Sequence, residues 1–239
     1  MGLPNIMEER DVQIRGYLDV HGRAGPEPVR AVDLIGRGWS PGRATILVIM
    51  TDGLETGFLL DQRWHRLRGE MERTKQPTLL LLARTLDRAR APYAVIGGVA
   101  LQIHQAEPRT TLDIDIAVPS LEALPRLPLE AAGFALTGRF THSENWRGPD
   151  GIPVQFTDDP ALAGPIQRAE AIPLDDVGLR VIRRGDLLHE KLRAAADPAR
   201  RRSKRLQDLA DAHALVEATP ELLRELTSEE RVVLGRLPD

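Results

Sequence analysis

The apolar positions fall into three textures. Short apolar segments broken by Gly and Pro fill 1–70, helix-like and strand-like patterns alternate over 71–182, and 183–239 keeps helical spacing almost throughout. In the first stretch, Val12, Ile14, Tyr17 and Leu18 share one helical face over 11–20, and Val29, Val32, Leu34 and Ile35 share another over 27–35. Ser40-Pro41 supplies an N-cap and a first-position proline for a third helix, which carries Ala44, Ile46, Leu47 and Ile49 and ends near Gly53. Leu54 to Leu60 reads as a strand or wing.

The middle stretch opens with a Leu-rich amphipathic helix over Thr78 to Arg90, stopped by Pro92. Tyr93 to Ile96 is a short buried strand, Gly97-Gly98 follows, and Val99 to Gln105 returns to helical spacing. Leu112 to Val118 alternates strictly, with Leu112, Ile114, Ile116 and Val118 on the core side. Phe134 to Phe140 and Ile152 to Thr157 are further strands, joined through the loop Asn145 to Gly151. Leu179 to Ile182 is the last strand. Asp186 then caps a helix over Leu187 to Ala196, Asp197-Pro198 breaks it, a second runs over Ser203 to Glu217, and Thr219-Pro220 starts a third. The expected class is α+β: a small mixed sheet with helical segments before and after it, divided as 1–70, 71–182 and 183–239. Three short helices and a hairpin also give 1–70 the plan of a winged helix-turn-helix. Its recognition helix would span 40–51, with Arg37, Arg43 and Thr45 facing DNA. A helical cap domain without a DNA role is the other reading, and a start at Met71 a third.

Composition narrows the chemistry. The 239 residues contain no cysteine, which excludes disulfides, thiolate nucleophiles and Cys-ligated metal centres. No apolar run approaches the roughly 20 residues that span a bilayer, and 1–15 lacks a signal-peptide core, so a cytoplasmic protein without membrane contact is expected. The net charge is −3, so no global basic field draws nucleic acid. Locally, Arg183 to Arg205 holds nine Lys or Arg against three Asp or Glu. With 29 Arg and three Lys in the chain, the lysines Lys75, Lys191 and Lys204 are the ones to locate.

Asp113 and Asp115 carry the sharpest signal. Two apart in a strand, they share a face at roughly 6.5–7 Å. Side-by-side carboxylates repel unless a cation lies between them, so the pair suits a hard divalent metal, while a water-facing sheet edge is the plain alternative. On the neighbouring strand, Gly97-Gly98 opens a helix and leaves backbone N–H groups free for an anion. Together they put a phosphate cradle beside a metal pair, as nucleotide transfer from a triphosphate requires. Arg109 would grip a phosphate or brace the Asp strand, and Thr111 would hydrogen-bond a carboxylate or phosphate. His104, His142, His189 and His213 lack metal-ligand spacing and read as surface or supporting residues. Trp146 would anchor its loop or stack on a base. Glu190, Lys191, Asp208 and Asp211 read plainly as solvated helix faces, and Arg200 to Arg205 as a helix start or a phosphate rail.

Gly97-Gly98, a short helix, Arg109-x-Thr111 and Asp113-x-Asp115 together resemble the nucleotidyltransferases of the DNA polymerase β superfamily, most of all the AbiEii-type toxins. The resemblance covers about 78–218, with fourteen residues between Gly98 and Asp113, slightly more than the superfamily pattern. It extends to Lys191 and to Lys204-Arg-Leu-Gln-Asp208-Leu-Ala-Asp211. It implies that Asp113 and Asp115 hold Mg²⁺ or Mn²⁺ against an NTP. It places Gly97, Gly98, Arg109, Thr111 and Lys191 on the nucleotide, makes Lys191 and Asp208 catalytic, and gives Asp211 support. The acceptor it implies is RNA, such as a tRNA 3′ end, in a toxin–antitoxin or phage-defence setting with an antitoxin protein as partner. A small-molecule acceptor of the antibiotic type is a second option. The superfamily's third carboxylate, on a later strand, falls here on Gln155, with Asp158 or Asp159 as substitutes. Gln155 and the winged-helix reading together favour a third option, a non-catalytic nucleotide sensor that binds DNA.

Overall fold

A computed structural model describes residues 41–68, 74–105 and 109–235, with side chains from Gly53 onward. The chain divides into two units, 1–45 and 46–239, and the second holds the sheet and its helices. The helices expected over 11–20 and 27–35, Arg37 and Met71 lie outside the described residues, as do the side chains of Arg43 and Thr45.

Helix α1 (Pro41–Leu67) is continuous, which corrects the short recognition helix ending at Gly53 and the wing over Leu54 to Leu60. Gly53 is not a helix stop: a β-carbon there would come within 2.2 Å of the Gln102 carbonyl oxygen, and one at Gly57 within 2.5 Å of the Gln102 side chain. The glycines are the clearance that lets α1 lie against another helix, with Leu54 and Phe58 buried beside them.

Helix α2 (Gln76–Arg88) leads to β1 (Ala94–Ile96), and α3 (Gly97–His104) starts without an intervening loop. Then come β2 (Ile114–Ala117), α4 (Arg126–Ala131), β3 (Ala135–Phe140), β4 (Ser143–Arg147) and β5 (Pro153–Thr157). A 3₁₀ turn (Pro160–Leu162) precedes α5 (Ala163–Arg168), β6 (Glu170–Leu174) and β7 (Val177–Val181). The chain ends in α6 (Arg184–Ala196), α7 (Arg202–Ala218), a second 3₁₀ turn (Pro220–Arg224) and α8 (Ser228–Leu234). The class is α+β as expected, with seven strands ordered β3-β4-β5-β2-β1-β7-β6. β2 runs antiparallel to β1 and parallel to β5, and β1 runs parallel to β7.

Strand register builds the site. Ile114 pairs with Val154 and Ile116 with Phe156, and all four are buried. The alternate positions therefore face the other way: Asp115 pairs with Gln155, which pairs with Asn145. Leu112, expected in the core, is 43% exposed because the strand starts two residues later. Strand β4 takes the first three residues of the expected loop, with Glu144 and Trp146 buried at alternate positions. Trp146 is 1% exposed, packs edge-on against Phe156 at 6.3 Å and donates to Glu144, so it stacks on no base. Asp186 lies in the first turn of α6 rather than at its cap, and accepts from Arg168 at 2.6 Å.

Candidate active site

Gly97 holds φ at +60°, a left-handed value that glycine adopts without strain. A β-carbon at Gly97 would lie 2.1 Å from the Asp115 carboxylate, and one at Gly98 2.4 Å from the Thr111 hydroxyl. The Gly-Gly turn thus rests directly on the acid strand. The backbone N–H of Gly98 favours the charged form of Asp115. Burial and the neighbouring Asp113 push Asp115 up to about 7, and Glu190 adds to the rise while Lys191 opposes it. Asp113 accepts from the Thr111 hydroxyl at 2.9 Å. Neither Asp113 nor Asp115 has a cation at ion-pair distance among the described residues. Two neighbouring carboxylates without a close counter-cation, beside an amide oxygen, are a hard-oxygen donor set, and they fit a divalent cation.

A cleft of about 310 Å³ is lined by Gly97, Asp115, Gln155, Glu190, Lys191, Arg193 and Arg200, among others. Asp113 borders an adjoining hollow of about 240 Å³, which Gln155 also lines. Of the expected site residues, Gly97, Asp115 and Lys191 meet in the cleft, and Asp113 stands next to it. Thr111 hydrogen-bonds Asp113, and Gly98 lies close against Thr111.

Behind Lys191 lies an ion-pair cluster. Its ammonium donates to Asp208 at 3.0 Å and lies 3.1 Å from Asp211. Arg109 grips Asp211 with two bonds of 2.8 Å, and Arg200 donates to Asp208 at 2.7 Å. Burial works against the Lys191 charge, but Glu190, Asp211 and Asp208 outweigh it, and its pKa is raised. Lys191, Asp208 and Asp211 are buried, which corrects their reading as solvated helix faces. Arg109 braces the approach to β2 against α7, the second of the two roles considered for it.

Lys75 is the cation the sequence flagged without a role. It is buried, pairs with Asp61 of α1 and donates to the Thr111 carbonyl at 2.7 Å. The substitutes considered for Gln155 are both engaged. Asp158 accepts from the Leu121 N–H and lies 3.2 Å from His142, while Asp159 accepts from Arg193 at 2.6 Å and from the Ala161 N–H. Gln155 itself donates to Asn145 at 3.3 Å. His104 is buried in the core and His189 meets Glu230 at 2.6 Å. Sequence reasoning passed over Arg193 and the cleft position of Glu190. Spacing along α6 puts 190 and 193 on one face but does not by itself point to the cleft.

Residues 124–236 match the family model "Nucleotidyl transferase AbiEii toxin, Type IV TA system". This match agrees with the AbiEii-type resemblance over that segment, which contains Gln155, Glu190, Lys191, Asp208 and Asp211. The Gly97–Asp115 motif lies upstream of it. Similar solved structures include an antigenic nucleotidyltransferase-like protein from Paracoccidioides brasiliensis (20% identity, TM-score 0.47, covering 67% of this chain and 85% of that one). ANT(2'')-Ia in complex with adenylyl-2''-tobramycin gives 14% identity, TM-score 0.48 and coverage of 68% and 96%. JHP933 from Helicobacter pylori gives 17%, 0.43, 67% and 71%. No curated protein sequence matches the chain. No helix among the described residues is long and apolar enough to cross a membrane.

Proposed function

We propose that the chain moves a nucleotide from an NTP to an acceptor hydroxyl. The observation that carries this reading is the cleft in which the Gly97 turn, Asp115 and Lys191 converge. Asp113 and Asp115 would hold Mg²⁺ or Mn²⁺, which supplies charge neutralisation at the triphosphate when bound. The turn at Gly97 keeps side chains away from the triphosphate, and the N-terminus of α3 presents the positive end of its dipole. Lys191, fixed by Asp208 and Asp211, brings a charge that stays on at neutral pH. The acceptor oxygen forms a bond to the α-phosphorus, the bond to the bridging oxygen breaks, and pyrophosphate leaves.

RNA is the acceptor we favour, in a toxin–antitoxin setting with an antitoxin as protein partner. The matched family's description supports the setting. The exposed basic run over 200–204, which begins at the cleft with Arg200, supports a phosphate-bearing acceptor. The test is label transfer with Mg²⁺, each α-labelled NTP separately and total bacterial RNA, beside Asp113→Asn/Asp115→Asn. Label in an RNA band, lost in the variant, is expected. NTP consumed with no labelled RNA would move the acceptor to a small hydroxylic molecule, and no transfer despite NTP binding would overturn the enzymatic reading.

A further inference from the structure

The acceptor hydroxyl must lose a proton as its oxygen meets phosphorus, and the strand position that would hold a carboxylate for this carries Gln155, which has no basic group. Asp158 and Asp159 are tied to other partners. One carboxylate of the cleft is left. Glu190 lines it, and its Oε2 is buried without a hydrogen-bond partner among the described residues. A buried carboxylate oxygen left unpaired carries a desolvation cost.

Its position adds an independent argument. Beyond Glu190 lies a larger hollow of about 490 Å³, on the side of α5 and α8. Leu162, Glu190 and Arg193 line both this hollow and the cleft. Glu190 thus stands at the junction between the space that holds Gly97 and Asp115 and a second space open to another molecule. Burial holds the Glu190 carboxyl above its ordinary range, against the pull of Lys191, Arg193 and Arg200 and with Asp208 adding to the rise. The charge of Glu190 in turn helps raise Asp115 on β2.

We propose that Glu190, from helix α6, is the general base of the transfer, replacing the carboxylate that Gln155 lacks. The assignment rests on the nucleotidyltransfer reading above. The acceptor O–H proton passes to the Glu190 carboxylate, the freed oxygen bonds to the α-phosphorus, and pyrophosphate departs with the electron pair of the broken P–O bond. Glu190 then returns its proton to solvent.

The test compares wild type with Glu190→Gln and Glu190→Asp. Glu190→Gln is expected to lower kcat at least 100-fold with KM for the NTP within threefold, and to remove the acid limb of the kcat–pH profile. Mn²⁺ binding, read by the paramagnetic resonance of the free ion, stays unchanged, and the urea midpoint stays level or rises as an unpaired charge is removed. Glu190→Asp keeps the carboxylate and the acid limb at reduced kcat, and it carries the test if Glu190→Gln does not fold. A kcat within tenfold of wild type, a fall in Mn²⁺ affinity that tracks the activity loss, or an acid limb that persists in Glu190→Gln overturns the assignment. Wild type inactive with every NTP and acceptor overturns the transfer reading and this assignment with it, whereas an active wild type matched by Glu190→Gln overturns the assignment alone.

Discussion

Lys75 and Asp61 form an ion pair with side chains 1% and 3% exposed. Burial is the leading influence on both: it raises Asp61 and lowers Lys75 despite their mutual attraction. The pair therefore recovers less than it costs to bury. Lys75→Met leaves the Asp61 carboxylate buried with no counter-charge, and its Oδ1 already lacks a hydrogen bond among the described residues. Such a truncation costs about 3–5 kcal/mol. With a urea dependence of about 2–3 kcal/mol per molar for a protein of this size, the midpoint falls by about 1.5 M. Adding Asp61→Leu removes the stranded charge and should return the midpoint to within about 0.5 M of wild type, or above it. The double variant nonetheless loses the donor to the Thr111 carbonyl, and with it the hold on the residue that orients Asp113, so transfer activity should fall while stability recovers. Urea titrations followed by circular dichroism, with label transfer, on wild type, Lys75→Met, Asp61→Leu and the double variant complete the cycle. If the double variant is as unstable as the sum of the singles, the two residues are not coupled and the reasoning fails. Full activity in a stable double variant would refute the bracing role.

Burial, ahead of the neighbouring Arg184 charge, lowers His104 to about 4, while its bond to the Ile182 carbonyl works the other way. The neutral ring is the folded form, so its contribution is complete above about pH 6.5 and lost as pH falls toward 4, about 3 kcal/mol in all. Urea midpoints at pH 7.5 and 5 should differ less in His104→Gln than in wild type, and an equal difference would argue against it. Gly53→Ala drives a methyl into the Gln102 carbonyl and should cost about 2–3 kcal/mol by thermal or urea unfolding, and an unchanged midpoint would mean that α1 does not lie so close. Gln155→Glu sets a third carboxylate in register with Asp115. Without metal it should destabilise by about 1 kcal/mol, and it should tighten Mn²⁺ at least tenfold, whereas unchanged Mn²⁺ affinity would place residue 155 away from the metal.

The sheet was legible where alternation was clean. β2 and β5 lie within two residues of their expected ends because Ile114, Ile116, Val154 and Phe156 follow the period of two. β4 was not legible, because its inward positions are Glu144 and Trp146. Glu144 is buried while accepting from its strand neighbour Trp146 and from Arg126, eighteen residues away, a partner that strand alternation does not show. β6 was hidden by Pro173, which an edge strand tolerates where a central one does not. Gly53 misled for a related reason: a glycine reads locally as a stop, and only the partner helix shows it to be clearance. Gly97, Asp115 and Lys191 were legible as a motif. Glu190 was not, since beside Lys191 it looks like half of a solvated pair. Its neighbours in the cleft come from β2 and β5, which no spacing along α6 reveals.

Charge pairing sorts the acids of the fold in a way that composition does not. Asp61, Asp159, Asp208 and Asp211 each meet a Lys or Arg, and Asp208 and Asp211 share Lys191 while Arg200 and Arg109 close the outer sides. Those carboxylates are spent on holding helices and lysines in place. Asp113, Asp115 and Glu190 meet no cation at ion-pair distance among the described residues, and they border the cleft and its neighbouring hollow. A fold that pairs its structural acids so thoroughly keeps three unpaired ones together only at a cost in stability, and a bound cation and a transferred proton are the two things that would relieve it. The brace from Arg109 to Asp211 and the one from Lys75 to Thr111 keep the strand end from relaxing outward to lower that repulsion. The electrostatic strain therefore remains where a divalent ion and a triphosphate would meet it.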